Sequence, residues 1–186
     1  MEPRPLEVRC GYSALGQGVQ AGLAHLCLPI PLTLLLDAPF GFALYELTVL
    51  KRERTVIVSD NPCPEYWDDL WREKPLALIV QGTRLPDIQK GLEQAARGEG
   101  FKRTPQAESP LSESERSVLR LCALGKKNAD IAKMLHLSSR TVSNTVSRIQ
   151  ILLRLNNRTE LPLYYFGLWS QLESYRDKVD KYNSSD

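Results

Sequence analysis

The stretch TVIVSDNPCP, residues 55–64, is an apolar run that ends in a carboxylate, Asp60, with Pro64 four residues on. A strand that delivers a carboxylate to a sheet edge puts it where phosphoryl chemistry can occur, so Asp60 is the first residue with a candidate chemical role. The glycine-bearing GYSALGQG, residues 11–18, raises phosphate binding as well. It has neither the lysine of a P-loop nor the full spacing of a dinucleotide fingerprint. The four cysteines, Cys10, Cys27, Cys63 and Cys122, are irregularly spaced and form no Cys-x-x-Cys pair. With His25 and His136 they predict no metal centre and read as thiols of a reducing cytoplasm. No nucleophile, base and orienting group cluster in the pattern, so neither an enzyme nor a cofactor is expected.

A different chemistry is written into SSRTVSNTVSRIQILLRL, residues 138–155. Ser138 is placed to cap a helix whose inward stripe is Val142, Val146, Ile149 and Leu153, at steps of four, three and four. The opposite face carries Arg140, Ser143, Asn144 and Ser147, with Arg148 at its flank. A slim outward face rich in hydrogen-bonding groups near the helix N-terminus is what a major-groove reader needs. Arg140 is placed for a guanine edge or a phosphate, and Asn144 for adenine. Ser139 and Thr141 belong to the same first turn. Lys126 and Lys127 precede the helix before it and are placed to grip phosphate. A small bundle with a solvated polar face is the alternative.

The elements that must position these groups follow from composition and punctuation. The chain has 186 residues, is 42% hydrophobic and 25% charged, and carries a net charge of +2. Nine basic against four acidic residues fall between 109 and 161, whereas residues 1–108 hold twelve against fourteen. The positive field is therefore local, as a polyanion partner would require. The apolar stretch LCLPIPLTLLLDAP is interrupted by prolines and too short to span a bilayer, so no membrane association is expected. KRTPQAESP, residues 102–110, is polar, contains two prolines and marks a linker. Before it, four strand-like runs alternate with helical patterns, which predicts parallel βαβ units over 1–101. After it only helices are predicted. Ser112-x-x-Glu115 forms a capping box and Gly125 a stop; Asn128 is placed to cap the next helix, whose inward residues are Ile131, Ala132 and Leu135. Leu161, Tyr165, Leu168, Leu172, Tyr175, Val179 and Tyr182 then follow at heptad steps, with Pro162 in the first turn and Trp169 beside the seam. This predicts an extended dimerisation helix over 162–183; an amphipathic helix packed on its own domain is the bland alternative. Tyr66, Trp67 and Trp71, beside Asp68 and Asp69, read as core or as a partner surface.

From Leu111 to Leu161 the sequence closely resembles the LuxR-type helix-turn-helix of NarL/FixJ response regulators. The resemblance rests on Leu111, Glu115, Val118, Leu119, Gly125, Ile131, Ala132, Leu135, Ser138, Thr141, Val142, Ile149, Leu153, Asn157, Arg158 and Leu161. It implies a four-helix domain at 111–161 whose third helix enters the major groove, usually as a dimer on inverted repeats. Two departures stand out: Ser143 and Leu152 occupy positions where the family commonly has lysine. Response regulators of this kind also carry an N-terminal receiver, a flavodoxin-like doubly wound sheet with five βα units. Residues 1–101 resemble it loosely, as a shortened pseudo-receiver.

An active receiver would require an acceptor carboxylate, an acidic pair after the first strand, a hydroxyl and a lysine. In one register Asp60 is the acceptor, Thr83 the hydroxyl, and a βα unit is missing from the second half. In the other Asp37, in LTLLLDAP, is the acceptor, Ser59 the hydroxyl, and the first βα unit is missing. The spacing before Asp60 favours the first. In either register Gly11, Tyr12 and Ser13 stand where the acidic pair should be, and Gln81–Arg84 contains no lysine. The expectation is a cytoplasmic dimeric regulator of transcription that works without aspartyl phosphorylation, its N-terminal domain serving dimer contacts, a protein partner or a small ligand. The alternatives are a phosphorylation-dependent response regulator using Asp60 or Asp37, an interaction protein that no longer reads DNA, and a sigma-factor-like module.

Overall fold

The computed structural model describes residues 6–82 and 84–169, which divide into two compact units. The first comprises the chain up to Pro62 together with Trp67–Ala107; the second comprises Cys63–Tyr66 and the chain from Glu108 on.

Five parallel strands form the sheet of the first unit: β1 (Leu6–Cys10), β2 (Leu32–Leu36), β3 (Thr55–Ser59), β4 (Ala77–Val80) and β5 (Phe101–Arg103). The intervening helices are α1 (Ser13–Gly22), α2 (Phe42–Glu46), α3 (Pro64–Arg72) and α4 (Leu85–Ala96). The runs LTLLL, TVIVS and ALIV are almost continuously apolar, as strands covered on both faces must be, and β3 and β4 are buried throughout. Four βα units are present, as the alternating pattern predicts. Lys102 and Arg103, polar enough to read as linker, instead complete β5.

Alternation sorts the sheet into two faces. Leu34, Leu36, Val56, Val58, Ala77 and Ile79 point to one, where they share a core with Leu23 and Val19 at the α1 end and Ile88, Leu92 and Ala95 of α4. The opposite face carries the register row Arg9, Leu35, Ile57, Leu78, Lys102. That row ends in ion pairs to the helices covering it, Arg9 to Glu46 of α2 at 2.8 Å and Lys102 to Asp68 of α3 at 2.7 Å. Tyr66 and Trp67 are buried, so they are core residues.

The strand order is β1-β2-β3-β4-β5. In a flavodoxin-like sheet the order is 2-1-3-4-5, and the reversal at the first strand puts the first helix opposite those that follow the third and fourth. Here α1 lies opposite α2 and α3, and β2 directly neighbours β1. This is the order and helix placement that a flavodoxin-like sheet without its second βα unit would show. In that comparison β2 stands where the third strand would, and the residue that follows it is Asp37, whereas spacing alone pointed to Asp60. Thr83 lies outside the described residues. GYSALGQG makes no phosphate loop, since Gly16 and Gly18 are inside α1. Among the described residues no helix is long and apolar enough to cross a membrane.

The second unit is helical: α5 (Glu113–Ala123), α6 (Asn128–Leu135), α7 (Ser139–Leu153) and α8 (Glu160–Tyr165). Leu119, Ile131, Val142, Ile149, Leu161 and Tyr165 are among its most buried side chains. The unbroken seam predicted over 162–183 is corrected here. α8 stops at Tyr165, Gly167 takes a left-handed φ of 70°, and Leu161 and Tyr165 are consumed in the domain's own core. Leu168 is exposed and Trp169 half-buried; Leu172, Tyr175, Val179 and Tyr182 lie outside the described residues.

Candidate nucleic-acid interface

Each helix boundary around the outward face of α7 has a local cause. Ser112 and Glu115 cap α5 reciprocally: the Ser112 hydroxyl accepts from the Glu115 N–H, and Glu115 accepts from the Ser112 N–H at 2.8 Å. Gly125, at φ 76°, ends that helix in the left-handed conformation that glycine adopts without strain. Ser138 caps α7, accepting from the Thr141 N–H at 3.0 Å. Asn128 departs from expectation. It is the first residue of α6, not its cap, and its side-chain oxygen accepts from Arg158 Nη1 at 2.8 Å.

Arg158 also donates to the Lys126 carbonyl at 2.7 Å, and so fastens the loop carrying Lys126 and Lys127 to the turn before α8. That turn is itself closed by Glu160, which accepts from the Asn156 N–H at 2.6 Å and from the Asn157 amide at 3.0 Å. Asn157, Arg158 and Glu160 are therefore positioning residues. Periodicity missed them because Asn157 and Arg158 precede α8 and Glu160 is only its first residue.

Lys126, Lys127, Ser138, Ser139, Arg140, Thr141, Ser143, Asn144, Ser147 and Arg148 are all exposed. Arg140, Ser143, Asn144 and Ser147 lie at i, i+3, i+4 and i+7, on one face of α7, opposite buried Val142, Val146 and Ile149. The small side chains of Ser143, Asn144 and Ser147 would let the α7 backbone approach a groove closely. Arg148 is partly engaged: its Nε pairs with Glu115 at 2.8 Å. Glu115 is held below the usual carboxylate range first by its hydrogen bonds from Ser112, and further by the Arg148 charge. Beyond this face, Ile151 and Leu152 are exposed apolar side chains.

The carboxyl edge of the sheet shows different chemistry. Asp37 is buried, and its Oδ1 accepts from the Gly41 and Ala43 N–H groups at 3.1 and 3.0 Å. Its Oδ2 accepts from the Ser59 hydroxyl at 2.8 Å. The Asp37 and Ser59 side chains are thus joined to each other and to the start of α2. Asp60 stands exposed at the mouth of a cavity of about 340 Å³ lined by Leu15, Val19, Leu36, Phe40, Val58 and Ile88, and desolvation raises its pKa. Among the described residues of that lining there is no Lys or Arg. Among the described residues, no group of three His, Cys, Asp or Glu side chains is placed to hold a metal ion.

Residues 109–165 match the family described as bacterial regulatory proteins, luxR family. Within the second unit, residues 109–165 are a LuxR-type helix-turn-helix domain. Its α6–turn–α7 pair, with Ser138 capping α7, is the helix-turn-helix itself. The chain is 49% identical over 114 residues to the uncharacterized transcriptional regulatory protein YvfU of Bacillus subtilis (strain 168). The match covers 58% of this chain and 56% of that protein, so the chain spans little more than half the length of its curated relative. Among solved structures it is similar to RcsB, in a structure of two RcsB dimers bound to two parallel DNAs. The TM-score is 0.51 at 16% identity, covering 86% of this chain and 96% of that one. That likeness is one of fold and extends over most of the chain.

Proposed function

We propose that this protein is a DNA-binding regulator of transcription that acts as a dimer, inserts α7 of its LuxR-type domain into the major groove, and is not switched by aspartyl phosphorylation. The carrying observation is the face of α7: Arg140, Ser143, Asn144 and Ser147 exposed on one side of a helix whose other side is fixed in the core. Lys126 and Lys127, on the loop held by Arg158, supply charge beside it for the phosphate backbone. The family of the domain and the description of RcsB as dimers on DNA support the same reading. An inverted repeat is the operator a two-fold dimer would read. What supports independence from phosphorylation is Asp37, whose two oxygens accept from the Gly41 and Ala43 N–H groups and the Ser59 hydroxyl, beside a cavity whose described lining holds no Lys or Arg to neutralise a phosphoryl group.

A second reading, a helix-turn-helix that docks on protein, is favoured by one observation. Ser143 and Leu152 stand in place of lysines, and Ile151 and Leu152 expose apolar surface at the end of α7. Selection of duplexes from a fragmented bacterial genome by the unmodified protein, at two salt concentrations, separates the readings. Enrichment of an inverted repeat that survives the higher salt supports the regulator; no enrichment at either salt overturns it.

A further inference from the structure

We propose that the outer edge of β1 is an interaction surface that takes a second copy of the same strand in antiparallel pairing, joining two sheets into one. β1 pairs with β2 on one side, and among the described residues no strand lies on the other. A strand edge carries unpaired N–H and C=O groups and is a template for another chain. Here the groups are occupied by a side chain. Gln20 of α1 accepts from the Val8 N–H at 2.9 Å and donates to the Leu6 carbonyl at 3.3 Å. One carboxamide thus makes two bonds that a neighbouring strand would otherwise make, from the Val8 C=O and the Cys10 N–H of a second copy paired about Val8.

Space for a strand flanks the edge on both faces. A hollow of about 600 Å³ lies on the α1 side, lined by Leu6, Val8, Gln20, Leu23 and Leu26. Another of about 440 Å³ lies on the α2 side, lined by Glu7, Arg9, Phe42 and Glu46. This is the flank on which the second βα unit of a flavodoxin-like sheet would lie.

Charge identifies the occupant. LEVRC is self-complementary about Val8. Antiparallel pairing centred there sets Glu7 opposite Arg9 of the second copy and Arg9 opposite its Glu7, with Leu6 against Cys10. Directly opposed residues point to the same face, and opposite charges there are favourable. Sliding the register by one two-residue repeat either way sets Glu7 against Glu7 or Arg9 against Arg9, and parallel in-register pairing does both. The pattern therefore selects one alignment, and Glu7 exchanges its intrastrand Arg9 partner, now at 2.8 Å, for the Arg9 of the second copy.

The test uses the full chain with Cys10→Ser, Cys27→Ser and Val8→Cys under mild oxidation. Antiparallel pairing brings the two position-8 Cα atoms to about 5.5 Å, within disulfide range. A cross-linked dimer is expected. In the Val8→Cys chain with Cys27→Ser but native Cys10, the two Cys10 Cα atoms would lie about 14 Å apart and stay uncoupled. Adding Glu7→Arg, which leaves the Arg9–Glu46 pair intact, should abolish the cross-link. A chain with Arg9→Glu should also fail alone, and an equimolar mixture of the two should recover it. Gln20→Ala, which frees the edge, should increase the yield. Absence of a position-8 cross-link in a folded protein would overturn the proposal, as would a yield indifferent to the charge variants.

Discussion

Replacing Asp37 by alanine should cost the first unit much of its stability, because this carboxylate fastens two elements together. It accepts two backbone N–H groups at the start of α2 and the Ser59 hydroxyl at the end of β3. A hydrogen bond to a charged acceptor contributes about 1.5–3 kcal/mol, and removing the acceptor leaves buried donors unpaired. The three bonds share one acceptor and are not additive, so a loss of about 3–5 kcal/mol is expected for Asp37→Ala. Ser59→Ala removes one donor and the acceptor for the Asn61 N–H, for about 1–2 kcal/mol. Asp60→Ala touches an exposed side chain and should stay within about 0.5 kcal/mol of the parent. Urea unfolding followed by tryptophan fluorescence reads this unit through Trp67 and Trp71, with Asp37→Ala lowering the midpoint by about 2 M. Equal losses at Asp37 and Asp60 would refute the reasoning. So would an Asp37→Ala protein as stable as the parent that had lost a Mg²⁺-dependent incorporation of acetyl phosphate.

Three further outcomes follow from the second unit. Ser143→Lys adds a cation to the groove-facing side of α7 and should tighten DNA binding while steepening the slope of log K against log salt by about 1, read by fluorescence anisotropy at several salt concentrations. Arg158→Ala removes bonds to the Lys126 carbonyl and the Asn128 side chain; scanning calorimetry should show a loss of about 1–3 kcal/mol. Glu115 has a depressed folded pKa, so its contribution is fully present above the unfolded value of about 4.5 and is lost as pH falls through the lower folded value; Glu115→Gln should remove that component of the acid sensitivity in denaturation curves taken between pH 6 and pH 3.

Local signals were legible in the sequence where the partner lies within a turn. Ser112 with Glu115, Ser138 with Thr141, and Gly125 act over one to three residues, and each behaves as its type predicts. Asn128 failed as a cap because Arg158, thirty residues away, claims its side chain. Asp37 and Asp60 look alike as ends of apolar runs; strand order separates them, and order is a property of the whole sheet. The heptad steps beyond Leu161 passed over Gly167, a stop signal that outweighs apolar spacing when the preceding turn is already buried. The role of Gln20 at the β1 edge had no sequence signature, since nothing marks a glutamine that stands in for a peptide group.

The most direct test of the account is the affinity of the unmodified protein for a genome-selected duplex and for the same duplex with both half-sites scrambled, measured alongside Arg140→Ala and Asn144→Ala. The account predicts preference for the intact site without phosphorylation, and a loss of about 1–3 kcal/mol of that preference in each variant. Equal affinity for both duplexes, falling with salt and unaffected by either substitution, would contradict it.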